Sequence, residues 1–101
     1  MAALEIDPAL AKAHNSLGVI AAQEGRLDEA VGHWREAVAL NPADWQTLFN
    51  LGSTLRAQGR TDEARPYLES YLKAAPLALE ARDIARVRQW LGPTGAPARP
   101  L

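Results

Sequence analysis

Apolar residues recur every three or four positions along most of the chain, which is the spacing of an amphipathic helix. Leu10, Leu17 and Ile20 follow this spacing early in the chain, and Leu48 and Leu55 follow it later. Val, Ile and Thr are sparse, so little in the sequence favours a strand. The predicted helices cover residues 9–24, 28–40, 44–58, 62–74 and 77–91.

Glycine and proline mark the ends of these segments. Gly25 and Gly59 interrupt the helical pattern, and a residue that is free to take a positive φ can end a helix there. Pro42 and Pro76 each follow a predicted helix and stop it from continuing. The pattern therefore predicts helical hairpins, that is, an all-α fold.

Acidic residues follow each glycine. Asp28 and Asp62 are predicted to cap the second helix of each hairpin, where a carboxylate also suits the positive end of the helix. Pro66 lies inside the predicted helix 62–74 and removes one hydrogen bond to the carbonyl of Asp62. The cost of this loss is small because Pro66 lies near the start of the helix. Gly18 and Ala30 are small where two helix axes must approach closely.

The chain repeats itself at a constant offset, which is the one that separates Leu17 from Leu51. The matches are Leu17-Gly18 with Leu51-Gly52, Gly25-Arg26 with Gly59-Arg60, Asp28-Glu29-Ala30 with Asp62-Glu63-Ala64, and Pro42 with Pro76. We therefore divide the chain into a first repeat at 9–44 and a second repeat at 45–78.

The two ends of the chain differ from the repeats. Residues 3–8 match residues 37–42 at the same offset, so residues 1–8 are predicted to be the tail of a preceding, truncated repeat. The alternative is a small protein with a short N-terminal extension. Residues 79–91 are predicted to form a capping helix with an apolar face at Ile84, Val87 and Leu91. Residues 92–101 are rich in Gly and Pro and are predicted to be a flexible tail.

No pattern of catalytic or metal-binding residues emerges from the sequence. His14 and His33 lie on different predicted helices without the spacing of a metal pair. Asp28-Glu29 and Asp62-Glu63 recur with the repeat, so helix starts explain them better than acid–base chemistry. The chain has no cysteine and no phosphate-binding Gly-rich loop. We predict a protein that is not an enzyme and that has no cofactor and no metal site.

The charge of the chain argues against nucleic acid and membranes as partners. The formal net charge is −1, and Arg82, Arg86 and Arg88 are diluted by Glu80 and Asp83. No apolar run approaches the roughly 20 residues that span a bilayer. The predicted partner is therefore a protein or a peptide.

The repeat resembles the tetratricopeptide repeat. The resemblance rests on the spacing of the two copies, on Leu-Gly, on Gly-Arg-x-Asp-Glu-Ala, on the aromatic Trp34 and on the closing Asn41-Pro42. Three departures are His14 and Leu48 in place of the usual first-helix Trp, and Ala75-Pro76 in place of Asn-Pro. The resemblance implies a right-handed α-solenoid whose first helices line a concave, partner-binding face.

The resemblance also implies a set of binding residues by position. The candidates on the concave face are Lys12, Asn15, Val19, Gln23, Trp45, Gln46, Phe49, Ser53 and Arg56. Trp45 and Phe49 lie four residues apart on one helix face and form a candidate aromatic anchor. Phe49 is the strongest candidate, because Leu48, Leu51 and Leu55 already supply the core of its helix. The alternative is that both rings serve structure.

Some members of this family hold a C-terminal carboxylate with a clamp of Lys, Asn and Arg residues. Asn50 matches one Asn of that clamp, but Asn15 and Val19 stand where Lys and Asn are expected. Carboxylate-tail binding is therefore disfavoured.

Three functions follow as predictions. The leading one is a scaffold module that binds a peptide or protein on its concave face, as the C-terminal part of a longer repeat protein. The alternative is an accessory recruitment or oligomerisation region of an enzyme or regulator whose catalytic domain lies upstream. Self-association through the apolar face at residues 11–21 is the third.

Overall fold

The computed structural model describes residues 8–92, and this part of the chain is built from helices. Their bounds are α1 Pro8–Gln23, α2 Leu27–Leu40, α3 Trp45–Ala57, α4 Thr61–Ala74 and α5 Leu77–Leu91. The predicted all-α fold of tandem hairpins is confirmed. The predictions for residues 1–7 and 93–101 lie outside the described residues.

Helix pairs follow the chain order. The pairs α1–α2 and α3–α4 form two hairpins with extensive contact, α2 and α3 join the hairpins, and α5 lies against α4. Small and branched side chains fill the spaces between these helices. The buried core consists of Ala21, Ala30, Val31, Trp34, Leu48, Leu51, Leu55, Ala64, Leu68, Tyr71, Ile84 and Val87.

The turn inside each hairpin is the one that the glycines predict. Gly25 and Gly59 have φ of 82° and 81°, in the left-handed region that glycine tolerates best. Arg26 N–H donates to the Ala21 carbonyl at 2.8 Å, and Arg60 N–H donates to Leu55 at 2.9 Å. These bonds satisfy carbonyl groups that a helix end leaves unpaired. The glycines therefore end α1 and α3 and reverse the chain.

Helix capping differs from the sequence prediction. Asp28 and Asp62 were expected as caps, but α2 and α4 begin earlier, with Arg26 and Arg60 at the capping positions and no side-chain cap bond. The turn of each hairpin ends at Arg26 or Arg60, so the helix begins with the next residue. Asp28 and Asp62 therefore lie inside the first helical turn. There its charge still suits the positive end of the helix.

Asp44 caps α3 instead. Its Oδ1 accepts from the backbone N–H of Gln46 at 3.2 Å and of Thr47 at 3.4 Å. Its Oδ2 accepts from the Thr47 hydroxyl at 2.9 Å, which satisfies a fully buried polar side chain. One side chain therefore anchors the start of the helix that carries Trp45.

Asp44→Ala should lower the free energy of unfolding by about 0.5–2 kcal/mol, because two backbone donors lose their partner. Asp62→Ala is the matched control, since Asp62 makes no cap bond and lies exposed in the first turn of α4. Its effect should stay within about 0.5 kcal/mol. Urea unfolding measures both values, and equal losses would contradict the assigned cap.

Helix α5 follows the predicted pattern, with one irregularity. Ile84 and Val87 are buried and Leu91 is partly buried. Glu80 has non-helical angles, φ −117° and ψ 21°, so the first turn of α5 is offset from the rest. This kink places Glu80 beside Tyr71 of α4. Within residues 8–92, no helix combines the length and apolar character that a membrane crossing requires.

Candidate functional site

An open cleft of about 340 Å³ lies where α1, α3 and α5 meet. It is lined by Asn15 from α1, by Trp45, Gln46, Phe49 and Asn50 from α3, and by Glu80 from α5. We call this feature the α1–α3–α5 cleft. The first helix of each hairpin and the closing helix therefore contribute to one surface.

An amide pair forms one wall of the cleft. The Asn50 Nδ2 group donates to Asn15 Oδ1 at 3.2 Å, which joins the two hairpins. Trp34 of α2 holds α1 in place, because its Nε1 donates to the Asn15 carbonyl at 3.2 Å. Within the described chain, this pairing leaves the Asn15 amide nitrogen and the Asn50 amide oxygen free to bond a ligand.

A carboxylate forms the opposite wall. The Tyr71 hydroxyl donates to Glu80 Oε1 at 2.9 Å, so the phenol of α4 positions the carboxylate of α5. Burial raises the pKa of Tyr71 well above its ordinary value, and the hydrogen bond to Glu80 and the charges of Glu80 and Asp83 raise it further. Tyr71 therefore stays a neutral donor.

Phe49 lines the cleft and packs against two aromatic rings outside its lining. The Phe49 ring lies 5.2 Å from the Tyr71 ring and is stacked 6.1 Å from Trp90, measured between centroids. The Arg56 guanidinium lies 4.4 Å above the Trp90 ring, a cation–π contact. These contacts hold α5 against α3, and they leave Trp45 as the less engaged aromatic ring of the cleft.

A family model of the tetratricopeptide repeat matches residues 2–44 and 25–79 of this chain. The chain belongs to the tetratricopeptide repeat family. No curated protein matches the chain. Tetratricopeptide repeats generally mediate protein–protein interaction and are typically non-catalytic. The predicted resemblance is thereby confirmed.

Four of the sequence-predicted binding residues of this tetratricopeptide chain meet in the cleft: Asn15, Trp45, Gln46 and Phe49. The premise that Phe49 is spare for the core is wrong, because its ring is partly buried against Tyr71 and Trp90. Its contribution to binding stays a prediction.

The remaining predicted residues lie outside the cleft lining. Lys12 and Gln23 are exposed on α1, and Val19 packs partly against the core. The Ser53 hydroxyl donates to the Phe49 carbonyl at 2.6 Å, and Arg56 covers Trp90. Their side chains are therefore not gathered around one ligand position.

The predicted set omits two cleft residues. The sequence suggests Asn50 only as one part of a carboxylate clamp, and Glu80 only as part of the polar face of a capping helix. The signal for Asn50 is its place beside Phe49 on a first helix. No sequence signal points to Glu80, because its position depends on the kink in α5.

The two histidines are close in space although their sequence spacing did not indicate a pair. The ring centroids of His14 and His33 lie 5.8 Å apart across α1 and α2. His33 Nε2 lies 4.0 Å from Glu29 Oε2, whereas His14 Nδ1 is buried without a hydrogen-bond partner among residues 8–92. The described residues hold no group of three or more His, Cys, Asp or Glu side chains arranged for a metal ion.

Proposed function

We propose that the α1–α3–α5 cleft binds an extended segment of a protein partner. The observation that carries the proposal is the meeting of three primary amides, Asn15, Gln46 and Asn50, beside the partly exposed ring of Trp45. Amide groups both donate and accept, so they match the backbone of a peptide without demanding a particular side chain. A Trp ring adds a large contact area at low entropic cost.

The proposed site is formed by several helices. Asn15 belongs to the first hairpin, Trp45 to the second, and Glu80 to α5. An extended segment that crosses these helices would bury more surface than one helix offers. The stacking of the hairpins therefore sets the spacing of the binding groups.

A random peptide library displayed on phage tests the proposal. Peptides selected on the wild-type chain should lose most of their affinity for Gln46→Ala, which removes an exposed amide from the cleft. Gln89→Ala is the matched control, because Gln89 is exposed on α5 and does not line the cleft. Selected peptides that bind both variants equally well would place the binding site elsewhere.

Residues 1–8 remain proposed as the tail of a repeat. The family match beginning at residue 2 supports this proposal. The mainly exposed, charged positions of α5, among them Arg82 and Arg86, support a capping helix at 79–91.

A second function, self-association, is favoured by an apolar stripe on α1. Leu10, Leu17 and Ile20 are 47%, 45% and 48% exposed. The repeat gives the contrast, since Leu51 is 0% exposed at the position equivalent to Leu17. Antiparallel pairing of two α1 helices would place the small Ala13 of one copy opposite Leu17 of the other.

Leu17→Glu should abolish this association, because the pairing would bury a charge without a partner. Leu79→Glu is the control, since Leu79 is 75% exposed on α5 and lies outside the stripe. Light scattering over a range of concentrations should give a rising mass for the wild type and for Leu79→Glu, and a constant monomer mass for Leu17→Glu. A wild-type chain that stays monomeric throughout would refute the dimer.

A further inference from the structure

The described lining of the α1–α3–α5 cleft carries negative charge and no positive charge. Among the described residues that line it, only Glu80 is charged, and the other lining side chains are neutral amides or aromatic rings. Tyr71 occupies Oε1 of this carboxylate as a hydrogen-bond donor. Asp83, one turn further along α5, adds a second negative charge to the surroundings of Tyr71. The wall supplied by α5 is therefore negative.

Arg86 pairs with Asp83 at 3.7 Å, so the negative charge that the wall offers to a ligand is that of Glu80. Arg56 lies on the Trp90 ring, 4.4 Å from its centroid. Lys12 is exposed one turn before Asn15 on α1 and does not line the cleft. None of the ion pairs in the described part of the chain includes Glu80.

An anionic ligand finds amide donors in the cleft but no cationic side chain among the described lining residues. The start of α3 borders the cleft at Trp45 and Gln46, and a helix start ordinarily attracts anions. Asp44 already accepts from the Gln46 and Thr47 backbone N–H groups, so its carboxylate occupies that position. A peptide carboxylate would meet both Asp44 and Glu80, and like charges repel.

A cationic side chain meets the opposite conditions. The Glu80 carboxylate offers charge-assisted hydrogen bonds, and the Trp45 ring offers a face that attracts cations. A contact of this kind already occurs beside Phe49, between the Arg56 guanidinium and the Trp90 ring, although neither residue lines the cleft. A lysine or arginine placed between Glu80 and Trp45 would repeat this arrangement with a ligand.

We infer that the α1–α3–α5 cleft recognises a lysine or arginine side chain of the bound segment, with Glu80 as the residue that determines this specificity. The inference rests on the proposed function and adds to it the chemical class of the partner: a basic peptide.

A nuclear magnetic resonance titration tests the inference directly. The isotope-labelled chain is titrated with short, end-capped Gly-Ser peptides that carry one central lysine, norleucine or glutamate. The lysine peptide should shift the signals of the Trp45 indole and of the Asn15 and Asn50 amides. It should bind up to about fivefold more tightly than the norleucine peptide, the effect of one partly exposed ion pair with Glu80. The glutamate peptide should bind most weakly.

Glu80→Gln supplies the decisive comparison. Glutamine keeps the acceptor for the Tyr71 hydroxyl but loses the charge, so most of the preference for the lysine peptide over the norleucine peptide should disappear. Glu36→Gln is the matched control, because Glu36 is exposed on α2 and its loss changes the net charge by the same amount. This control should preserve the preference for lysine.

The outcomes separate the two proposals. Equal binding of the lysine and norleucine peptides at the cleft signals would overturn the specificity and leave peptide binding in the cleft intact. If Glu80→Gln and Glu36→Gln lowered the preference for the lysine peptide equally, that preference would reflect general charge attraction. This outcome would also overturn the specificity assigned to Glu80. If no peptide moved the cleft signals, both the specificity and the proposed binding site would fail.

Discussion

Leu51→Ala is expected to lower the free energy of unfolding by about 2–5 kcal/mol, the range for truncating a fully buried leucine. Leu51 is 0% exposed because α3 lies between α2 and α4. The substitution removes most of the side chain and leaves a cavity that the neighbouring helices fill only in part. Urea unfolding followed by circular dichroism gives the value, provided that the dependence on urea concentration is unchanged.

Leu17→Ala is the control from within the same chain. Leu17 occupies the equivalent position of the first repeat, in the same Leu-Gly pair. It is 45% exposed, because the extensive contacts of α1 are with α2 alone. Its truncation should cost about 1 kcal/mol or less, since much of the side chain is already in water. Measurement at low protein concentration keeps self-association out of the comparison.

The difference between the two leucines is the informative quantity. A large difference between the two losses of unfolding free energy means that the position of a leucine in the stack, rather than the repeat motif, sets its contribution to stability. Equal losses would contradict the exposed position of Leu17 and mean that the repeat motif sets the stability of both sites.

Gly18→Ala is expected to destabilise the protein, although alanine is the better helix former. A Cβ at Gly18 would lie 2.6 Å from Trp34 Cδ1, far inside normal contact. The indole cannot easily move, because it is 3% exposed and its Nε1 donates to the Asn15 carbonyl. Overpacking costs about 1–3 kcal/mol. This cost exceeds the gain in helix propensity, which is about 0.5–1 kcal/mol.

Gly32→Ala is expected to stabilise the protein, in contrast to Gly18→Ala. Gly32 lies on the exposed side of α2, and a Cβ there would meet no atom of the described part of the chain within 4 Å. The helix gain should therefore appear in full, as an increase of about 0.5–1 kcal/mol. Thermal unfolding of the two variants side by side measures both signs. Stabilisation by both substitutions would contradict the close approach of α1 to Trp34.

The candidate site was predictable in part. Asn15, Trp45, Gln46 and Phe49 were predicted because the resemblance to the tetratricopeptide repeat implies a concave face on the first helices, and the repeat offset locates that face in each copy. Glu80 was missed because its position follows from non-helical backbone angles and from the Tyr71 hydroxyl. A repeat pattern contains no information about such a kink, which arises only when α5 packs on α4.

The sequence by itself determined the helices and their hairpin order. The apolar period sets the buried face of each helix, and Gly25 and Gly59 set the turns through their freedom to take a positive φ. The spacing of the two repeats and their shared motifs then identified the family. These features are local, or are repeated at a fixed distance, so a linear pattern can carry them.

Only the tertiary structure decided which side chains meet across helices. It stacked Phe49 on Trp90, brought His14 to within 5.8 Å of His33, and placed Glu80 in one cleft with Asn15. Such contacts depend on the angles at which helices cross and on how far one slides along the next. Those angles result from the packing of all the buried side chains together, so no single segment of sequence specifies them.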